Sequence, residues 1–195
     1  MSYLENEISE EDVLIKDLDK SDFGSKLLFL GLAQTGKSSI IQVVFDNRDP
    51  ETTSDIPATV GVRRRLLDFS GLSLNVYDVG GQITYLEEAF VDLRESIFSK
   101  IKSLFFVVDT SKFDDFEQAK MYFVRAVKNV QDYSPQSKMV VLAHKMDLVP
   151  VEEREKAVDF ISEVFELEKY PNVKIHQTSI FEDSLLDTVE KTLLS

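Results

Sequence analysis

The sequence contains one complete phosphate-loop motif. Residues 31–38 read Gly-Leu-Ala-Gln-Thr-Gly-Lys-Ser, which matches G-x-x-x-x-G-K-[ST] at every fixed position. The glycines let successive backbone N–H groups curl around phosphate oxygens, Lys37 supplies positive charge, and Ser38 offers a hydroxyl to Mg²⁺. An apolar run precedes the loop and a helical pattern follows it, so the positive end of that helix faces the same anion. The motif predicts binding of a nucleoside phosphate.

A second motif supplies groups that act on the terminal phosphate. Residues 78–82 read Asp-Val-Gly-Gly-Gln at the end of an apolar strand pattern. An acid at this point can hold Mg²⁺ through water, Gly81 brings a backbone N–H to the γ-phosphate, and Gln82 can orient an attacking water molecule. Upstream, Thr59 is placed to offer a second hydroxyl to Mg²⁺. These residues predict phosphate hydrolysis, but the phosphate loop alone does not choose between ATP and GTP.

The elements that must position these residues alternate between strand and helix patterns. Strands are predicted at 26–30, 66–69, 72–76, 103–108, 138–143 and 172–176, and helices at 37–45, 115–131, 151–165 and 184–194. Near-continuous apolar runs such as residues 103–108 are typical of parallel strands that are buried on both faces. Ser70-Gly71 joins the second and third strands as a hairpin. The pattern predicts an α/β fold of the P-loop NTPase class, with a six-stranded, mostly parallel sheet flanked by helices.

Composition excludes several functions. The 195 residues hold 22 basic and 35 acidic side chains, a net charge of −13, and no cysteine. Disulfides, thiolate metal sites and a cysteine nucleophile are therefore excluded. The charge argues against binding nucleic acid or anionic lipid, since both need clustered Lys and Arg. Without a cysteine, and with Ser2 after Met1, no direct lipid anchor is expected. We expect a cytoplasmic protein that reaches a membrane only through a partner.

The acidic charge is concentrated in an N-terminal extension, residues 1–24. It holds eight acidic residues against two lysines up to Asp22. Ser9 followed by Asp12 is a helix-start signal, and four apolar residues share one helical stripe (Leu4, Ile8, Ile15 and Leu18). Two interpretations stay open, an acidic tail with a short docked helix and a partner-binding amphipathic helix. Residues 25–195 form the predicted catalytic domain.

Two further motifs resemble those of a known superfamily. Residues 144–148 read His-Lys-Met-Asp-Leu and residues 178–180 read Thr-Ser-Ile. With the motifs above, in this order and spacing, residues 26–195 resemble the small GTPase superfamily. The His-Lys-Met-Asp-Leu segment is similar to the Rag/Gtr branch, whereas most small GTPases carry Asn in place of His144. The Pro57…Thr59…Gly61 stretch and the Asp-Val-Gly-Gly-Gln motif are similar to those of the Arf family.

The resemblance implies a Ras-like G domain and assigns site residues. Phosphate-binding residues would be Gln34, Thr35, Gly36, Lys37, Ser38, Ser39 and Gly81. Mg²⁺ would be held by Ser38 and Thr59, and by Asp78 through water. Residues of the guanine site would be His144, Lys145, Asp147, Ser179 and Ile180, and the catalytic residues would be Gln82, Lys37 and Thr59. Asp147 would accept hydrogen bonds from guanine N1 and N2, two donors that adenine lacks.

The function implied is a switch that hydrolyses GTP to GDP. Two loops, residues 47–62 and 79–98, would be ordered by the γ-phosphate and would control the binding of effectors and of activating and exchange factors. Ala33 stands where Ras-type proteins have Gly, so the resemblance implies that its methyl group crowds the catalytic Gln82 and that hydrolysis is slow without an activating protein. The alternatives are a hydrolysis-poor, nucleotide-bound scaffold that forms one half of a GTPase complex, and an ATP-using P-loop enzyme. Rag/Gtr proteins pair through a C-terminal roadblock-type domain, whereas this sequence ends with the last predicted helix of the G domain. Pairing is therefore expected to use the G domain or a separate roadblock-type protein.

Several residues keep two or more interpretations. Arg63-Arg64-Arg65 is the one basic run, and it fits a solvated strand start, a docking patch for an acidic partner or an arginine finger. Tyr85, Phe90 and Phe98 either form a partner surface or pack beneath the second switch. His144 can tie the base loop, residues 144–148, to the phosphate loop with one hydrogen bond. His176 is expected on a strand surface.

Overall fold

A computed structural model describes residues 24–194. The helix predicted within the acidic extension lies outside the described residues. Six strands form one sheet in the order β2-β3-β1-β4-β5-β6. They are β1 (Ser25–Leu30), β2 (Val62–Phe69), β3 (Leu72–Val79), β4 (Ile101–Asp109), β5 (Lys138–His144) and β6 (Val173–Thr178). Within the described residues β2 alone pairs antiparallel, so the predicted six-stranded, mostly parallel sheet is confirmed.

Six α-helices connect the strands within residues 24–194. They are α1 (Lys37–Asp46), α2 (Ile83–Glu87), α3 (Arg94–Phe98), α4 (Phe116–Tyr133), α5 (Arg154–Val164) and α6 (Ser184–Leu194). The prediction for residues 184–194 agrees at both ends. The helix predicted to start at Val151 instead opens with a 3-10 turn over Val151–Glu153.

The hairpin strands are longer than predicted. β2 begins at Val62, and Arg63, Arg64 and Arg65 pair with residues 76–78 of β3. Three consecutive arginines lack the apolar alternation that marks a strand. They are tolerated because β2 lies at the edge of the sheet, where charged side chains reach solvent.

The segment predicted as a second switch loop, residues 79–98, is mostly helical, and that part of the prediction was wrong. A π-helical turn over Glu88–Asp92 links α2 to α3. The helical turns bury Leu86, Phe90 and Phe98 in the core, where they are at most 4% exposed. Burial of these side chains stabilises short helices that would not form in isolation.

The central strands bury side chains on both faces of the sheet. Phe105 stacks on Phe29 of β1 at 4.9 Å between ring centroids, on the face covered by α1 and α6. Phe106 points to the opposite face and meets Phe123 of α4 edge-on at 5.5 Å. The carboxyl ends of the parallel strands meet at one edge of this packed sheet, where α/β folds bind ligands. Within residues 24–194 no helix combines the length and the apolar character needed to cross a bilayer.

Candidate nucleotide-binding site

The phosphate loop runs from the end of β1 to the start of α1 in a shape that only glycine fits at two points. Gly31 has φ 144°, and a Cβ there would lie 2.3 Å from the carbonyl oxygen of Val107. Gly36 has φ 100°, and a Cβ there would lie 2.8 Å from Cδ2 of His144. The glycines therefore let the loop turn sharply while it touches β4 and the base loop.

Lys37 lies beneath this loop as a buried cation. It is 5% exposed, and its Nζ donates hydrogen bonds to the carbonyl oxygens of Gly31 at 2.9 Å and Leu32 at 2.8 Å. Burial lowers the pKa of Lys37 to about 8, while the negative charge of Asp78 acts in the opposite direction. The ammonium is thus still protonated at neutral pH but poorly compensated. A phosphate anion in the loop would supply the missing negative charge.

Side-chain oxygens of three residues from separate elements, Ser38, Thr59 and Asp78, converge beside Lys37. Ser38 Oγ donates to Asp78 Oδ2 at 2.6 Å, and Thr59 Oγ1 donates to the same oxygen at 2.9 Å. The two hydroxyl oxygens are 2.9 Å apart. Asp78 Oδ1 is buried and has no hydrogen-bond partner within the described part of the chain. Mg²⁺ prefers hydroxyl and carboxylate oxygens as ligands, and Asp78 Oδ1 has a lone pair that no described residue uses.

The two predicted switch segments meet over the phosphate loop. The backbone N–H of Gly80 donates to the carbonyl oxygen of Gly61 at 2.7 Å. Gly81 approaches the phosphate loop so closely that a Cβ would lie 2.3 Å from the carbonyl of Leu32. Gln82 and Ala33 both line the adjacent cavity of about 500 Å³. A glutamine side chain can therefore reach the space in front of the phosphate loop.

The base-loop residues line a neighbouring cavity of about 400 Å³. Asp147 Oδ1 accepts a hydrogen bond from the buried Ser179 Oγ at 2.5 Å. Lys145 Nζ donates to the carbonyl oxygen of Gln34 and to Asp109 Oδ2, each at 2.7 Å. Gly36, Ser39, Thr53, Ser54 and Lys145 line both cavities, which makes them one continuous cleft. The cleft has phosphate-loop groups at one end and an oriented carboxylate at the other.

His144 is buried between the base loop and the phosphate loop. It is 1% exposed, and its Nδ1 lies 3.0 Å from Oγ1 of Thr178. Burial lowers its pKa to about 4, with help from the positive charge of Lys145 and against Asp147 and Asp109. The imidazole is therefore neutral at physiological pH. The expectation that His144 hydrogen-bonds the phosphate loop was wrong: among the described residues its hydrogen bond is with Thr178 of β6, and its ring packs against Gly36 of the loop.

The predicted site residues lie together at this edge of the sheet. Thr35 is buried within the phosphate loop, where its Oγ1 donates to the carbonyl oxygen of Leu32 at 3.1 Å. Sequence reasoning missed Asp109 and the lining residue Phe181, and it quoted Thr178 in a motif without assigning it a role. Asp109 had a signal, since it is an acid that ends a long apolar run. It is 3% exposed, and although burial raises its pKa, its bonds with Lys145 and Ser111 outweigh that and lower it.

Other candidate residues lie outside the cleft. Arg65 pairs with Asp46 at 2.7 Å, and none of the three consecutive arginines lines either cavity. Phe90 and Phe98 are buried, so they pack beneath the second switch segment, while Tyr85 is partly exposed. His176 is partly exposed on β6, as expected.

The sheet order, the phosphate loop, the two switch segments and the base loop together define a small GTPase domain. The family model of the Gtr1/RagA G protein conserved region matches residues 26–191. The chain belongs to this family, which confirms the resemblance to the Rag/Gtr branch.

Individual relatives agree with this assignment. The chain is 34% identical to GTP-binding protein GTR1 of Saccharomyces cerevisiae over 165 residues, covering 82% of this chain and 53% of the relative. It is 31% identical to Ras-related GTP-binding protein A of Dictyostelium discoideum over 131 residues, covering 67% and 43%. The chain thus spans about half the length of these curated relatives. A solved structure of the Arl6 small GTPase from Trypanosoma brucei, with the nucleotide analogue GppNp bound, shares the fold, with a TM-score of 0.65, 20% identity, and coverage of 87% and 93%.

Proposed function

We propose that this protein is a GTP-binding switch that hydrolyses GTP to GDP. The observation that carries the proposal is the convergence of Ser38, Thr59 and Asp78 beside the buried Lys37. Thr59 lies in the first switch segment, and the second switch segment begins at Val79, directly after Asp78. Groups that contact the γ-phosphate end of a nucleotide therefore belong to both segments. Loss of that phosphate would release both, and the affinity for partners would change with it.

We propose that Lys37 and the backbone of residues 34–39 hold the phosphates. The burial that lowers the pKa of Lys37 to about 8 supports this role, because an anion would relieve the cost of burying that charge. Ser38 and Thr59 would hold Mg²⁺, with Asp78 acting through water, and the unpartnered Asp78 Oδ1 supports this assignment. A bound Mg²⁺ would neutralise phosphate charge during hydrolysis.

For hydrolysis, we propose that Gln82 orients a water molecule for attack on the γ-phosphorus. The bond from the γ-phosphorus to the bridging oxygen breaks, GDP leaves with that electron pair, and inorganic phosphate forms. Lys37 would stabilise the charge on the oxygens. Ala33 lines the same cavity as Gln82, and a methyl group that limits the positions open to the Gln82 side chain would give slow turnover without an activating protein.

A single-turnover assay of GTP hydrolysis tests this role. Gln82→Leu should slow hydrolysis on the order of 10–100-fold, the effect of losing a positioning group. Gln131→Leu is the matched control, since Gln131 is an exposed glutamine on α4. Wild-type protein that is no faster than Gln82→Leu, even with activating proteins present, would instead identify a hydrolysis-poor scaffold.

We propose that Asp147 selects guanine, with Ser179 holding its carboxylate in place at 2.5 Å. Lys145 and Ile180 would cover the two sides of the base, and His144 would support the loop. Asp147→Asn should weaken GTP binding about 100-fold and favour xanthosine triphosphate, because the amide reverses one donor–acceptor pair. Asp132→Asn on α4 is the control. Unchanged GTP affinity in Asp147→Asn, or displacement of labelled GDP by ATP, would refute this assignment.

We further propose that exchange factors, activating proteins and effectors bind at the switch segments. Pairing with a second GTPase domain or with a roadblock-type protein is a related proposal, supported by membership of the Gtr1/RagA family. Sedimentation velocity of the GDP-bound and GTP-analogue-bound forms tests it, and a single monomer boundary in both, alone and with candidate partners, would refute it. The net charge of −13 disfavours direct binding to an anionic membrane, and we propose that the protein is cytoplasmic and that a partner recruits it to membranes.

A further inference from the structure

A second concave surface lies directly behind the guanine end of the cleft. It is a cavity of about 430 Å³ between the C-terminal half of α1, the turn at Pro50 and the segment that leads into α6. We call it the α1–α6 groove. Of its twelve lining residues seven are apolar, four are acidic and the last is Asn47. None of them is Lys or Arg, so the groove combines an apolar floor with a negative rim.

Above a buried base, the α1–α6 groove exposes apolar side chains that residues 24–194 leave uncovered. Val44 and Leu185 form its buried base, at 8% and 2% exposed. Phe181 and Leu186 stand above them at 52% and 43% exposed. Large apolar side chains that are half exposed around one concavity are typical of a binding surface.

The rim of the groove is negative and only partly neutralised. Glu182 pairs with Arg154 at 2.9 Å, and Asp49 Oδ1 accepts a hydrogen bond from the backbone N–H of Glu51. The carboxylates of Glu51 and Asp183 are exposed and make no hydrogen bond or ion pair within residues 24–194. An occupant with positive charge beside its apolar side chains would satisfy both rim and floor.

We propose that the α1–α6 groove binds an amphipathic segment of a partner protein that carries lysine or arginine beside its apolar residues. Pro50, Glu51, Ile180 and Phe181 line both this groove and the base end of the nucleotide cleft. A segment bound in the α1–α6 groove therefore contacts residues that also line the nucleotide cleft. Its binding is coupled to nucleotide release, and this coupling rests on the nucleotide binding proposed above.

A labelled peptide and two matched double variants test the proposal. The probe is a 14-residue peptide of Leu and Lys with its leucines on one helical face, and its affinity for the GDP-loaded full chain is measured by fluorescence anisotropy near physiological salt. Asp183→Lys with Leu186→Ser should weaken binding at least tenfold. Asp132→Lys with Met121→Ser on α4 changes the net charge equally and removes an apolar side chain of similar exposure, 49% against 43%. This control should lose less than about twofold.

Equal losses in the two double variants would show general attraction of a cationic peptide to an acidic protein, and would overturn the proposal. Leu186→Ser alone against Met121→Ser alone repeats the comparison if the charge reversal impairs folding. Self-association of the chain that Leu186→Ser abolishes would assign the groove to a second copy and would also overturn it.

Measuring the release of labelled GDP tests the coupling separately from peptide binding in the α1–α6 groove. Saturating peptide should change the release rate at least threefold in wild type and in the α4 control. Bound peptide with an unchanged rate would refute the coupling. Since neither Asp183 nor Leu186 lines the nucleotide cleft, a failure here is distinguishable from a failure of the proposed GTPase function, which the Gln82→Leu assay tests without peptide.

Discussion

Acid should destabilise this protein through His144. The folded state holds the imidazole neutral, because it is 1% exposed and burial lowers its pKa from 6.5 to about 4. Lys145 disfavours the protonated form further, while Asp147 and Asp109 favour it less strongly. In the unfolded chain the same imidazole takes up a proton near pH 6.5. Below that pH the unfolded state therefore binds more protons, and the free energy of unfolding falls.

The size of this effect follows from the two pKa values. Each pH unit between them is worth about 1.4 kcal/mol. The contribution of His144 is fully present well above pH 6.5, falls by about 2 kcal/mol at pH 5, and levels off below pH 4 after a loss of about 3 kcal/mol. For a domain whose stability is typically about 5–15 kcal/mol, that loss is large.

His144→Asn isolates the titration, because an asparagine can fill much of the same space without taking up a proton. The free energy of unfolding in urea is measured for wild type and variant, both nucleotide-free, from pH 7.5 to pH 4.5. Other titrations cancel in the difference between the two proteins, which should shift by about 2 kcal/mol against wild type between pH 7.5 and pH 5.

His176→Asn is the control. His176 is partly exposed, so its lowered pKa, caused by partial burial and by Lys174 and Lys191, should produce a smaller slope. A wild-type minus His144→Asn difference that stays flat, or that favours wild type as the pH falls, would refute the neutral buried imidazole.

Three further predictions concern contacts around the cleft. Asp109→Asn should speed GDP release about tenfold, because it weakens a charge-assisted hydrogen bond from Lys145. If Lys145→Met protein releases GDP at the same rate with and without Asp109→Asn, the effect acts through that bond. Arg125→Met should raise hydrogen exchange in residues 83–92, because the partly exposed ion pair with Glu87 docks α2 onto α4. The loss in global stability should be less than about 1 kcal/mol. Unchanged exchange would contradict this. Gly81→Ala should weaken binding of a GTP analogue more than binding of GDP, because the new Cβ meets the carbonyl of Leu32 at 2.3 Å, and equal losses for the two nucleotides would argue against a γ-phosphate contact.

Much of the fold could be predicted because its signals are local. Helix α6 carries apolar periodicity, and the central strands are near-continuous apolar runs because a parallel sheet buries them on both faces. Residues 83–98 carry no such periodicity over a useful length. Their short helices form because Phe90 and Phe98 pack into a core made by distant segments, as the tilted contact of Phe90 with Tyr122 of α4 illustrates.

The chemistry of the site could be predicted from the sequence, because the phosphate loop, the Asp-x-x-Gly-Gln motif and the base loop each place their residues at fixed local spacing. His144 also indicated the branch of the superfamily. The contacts that these residues make could be read only from the tertiary structure. The bond from Lys145 to Asp109, the placement of His144 against Gly36 and Thr178, and the α1–α6 groove join residues far apart in the chain. Such contacts depend on how the strand ends meet at one edge of the sheet, and no local pattern encodes that geometry.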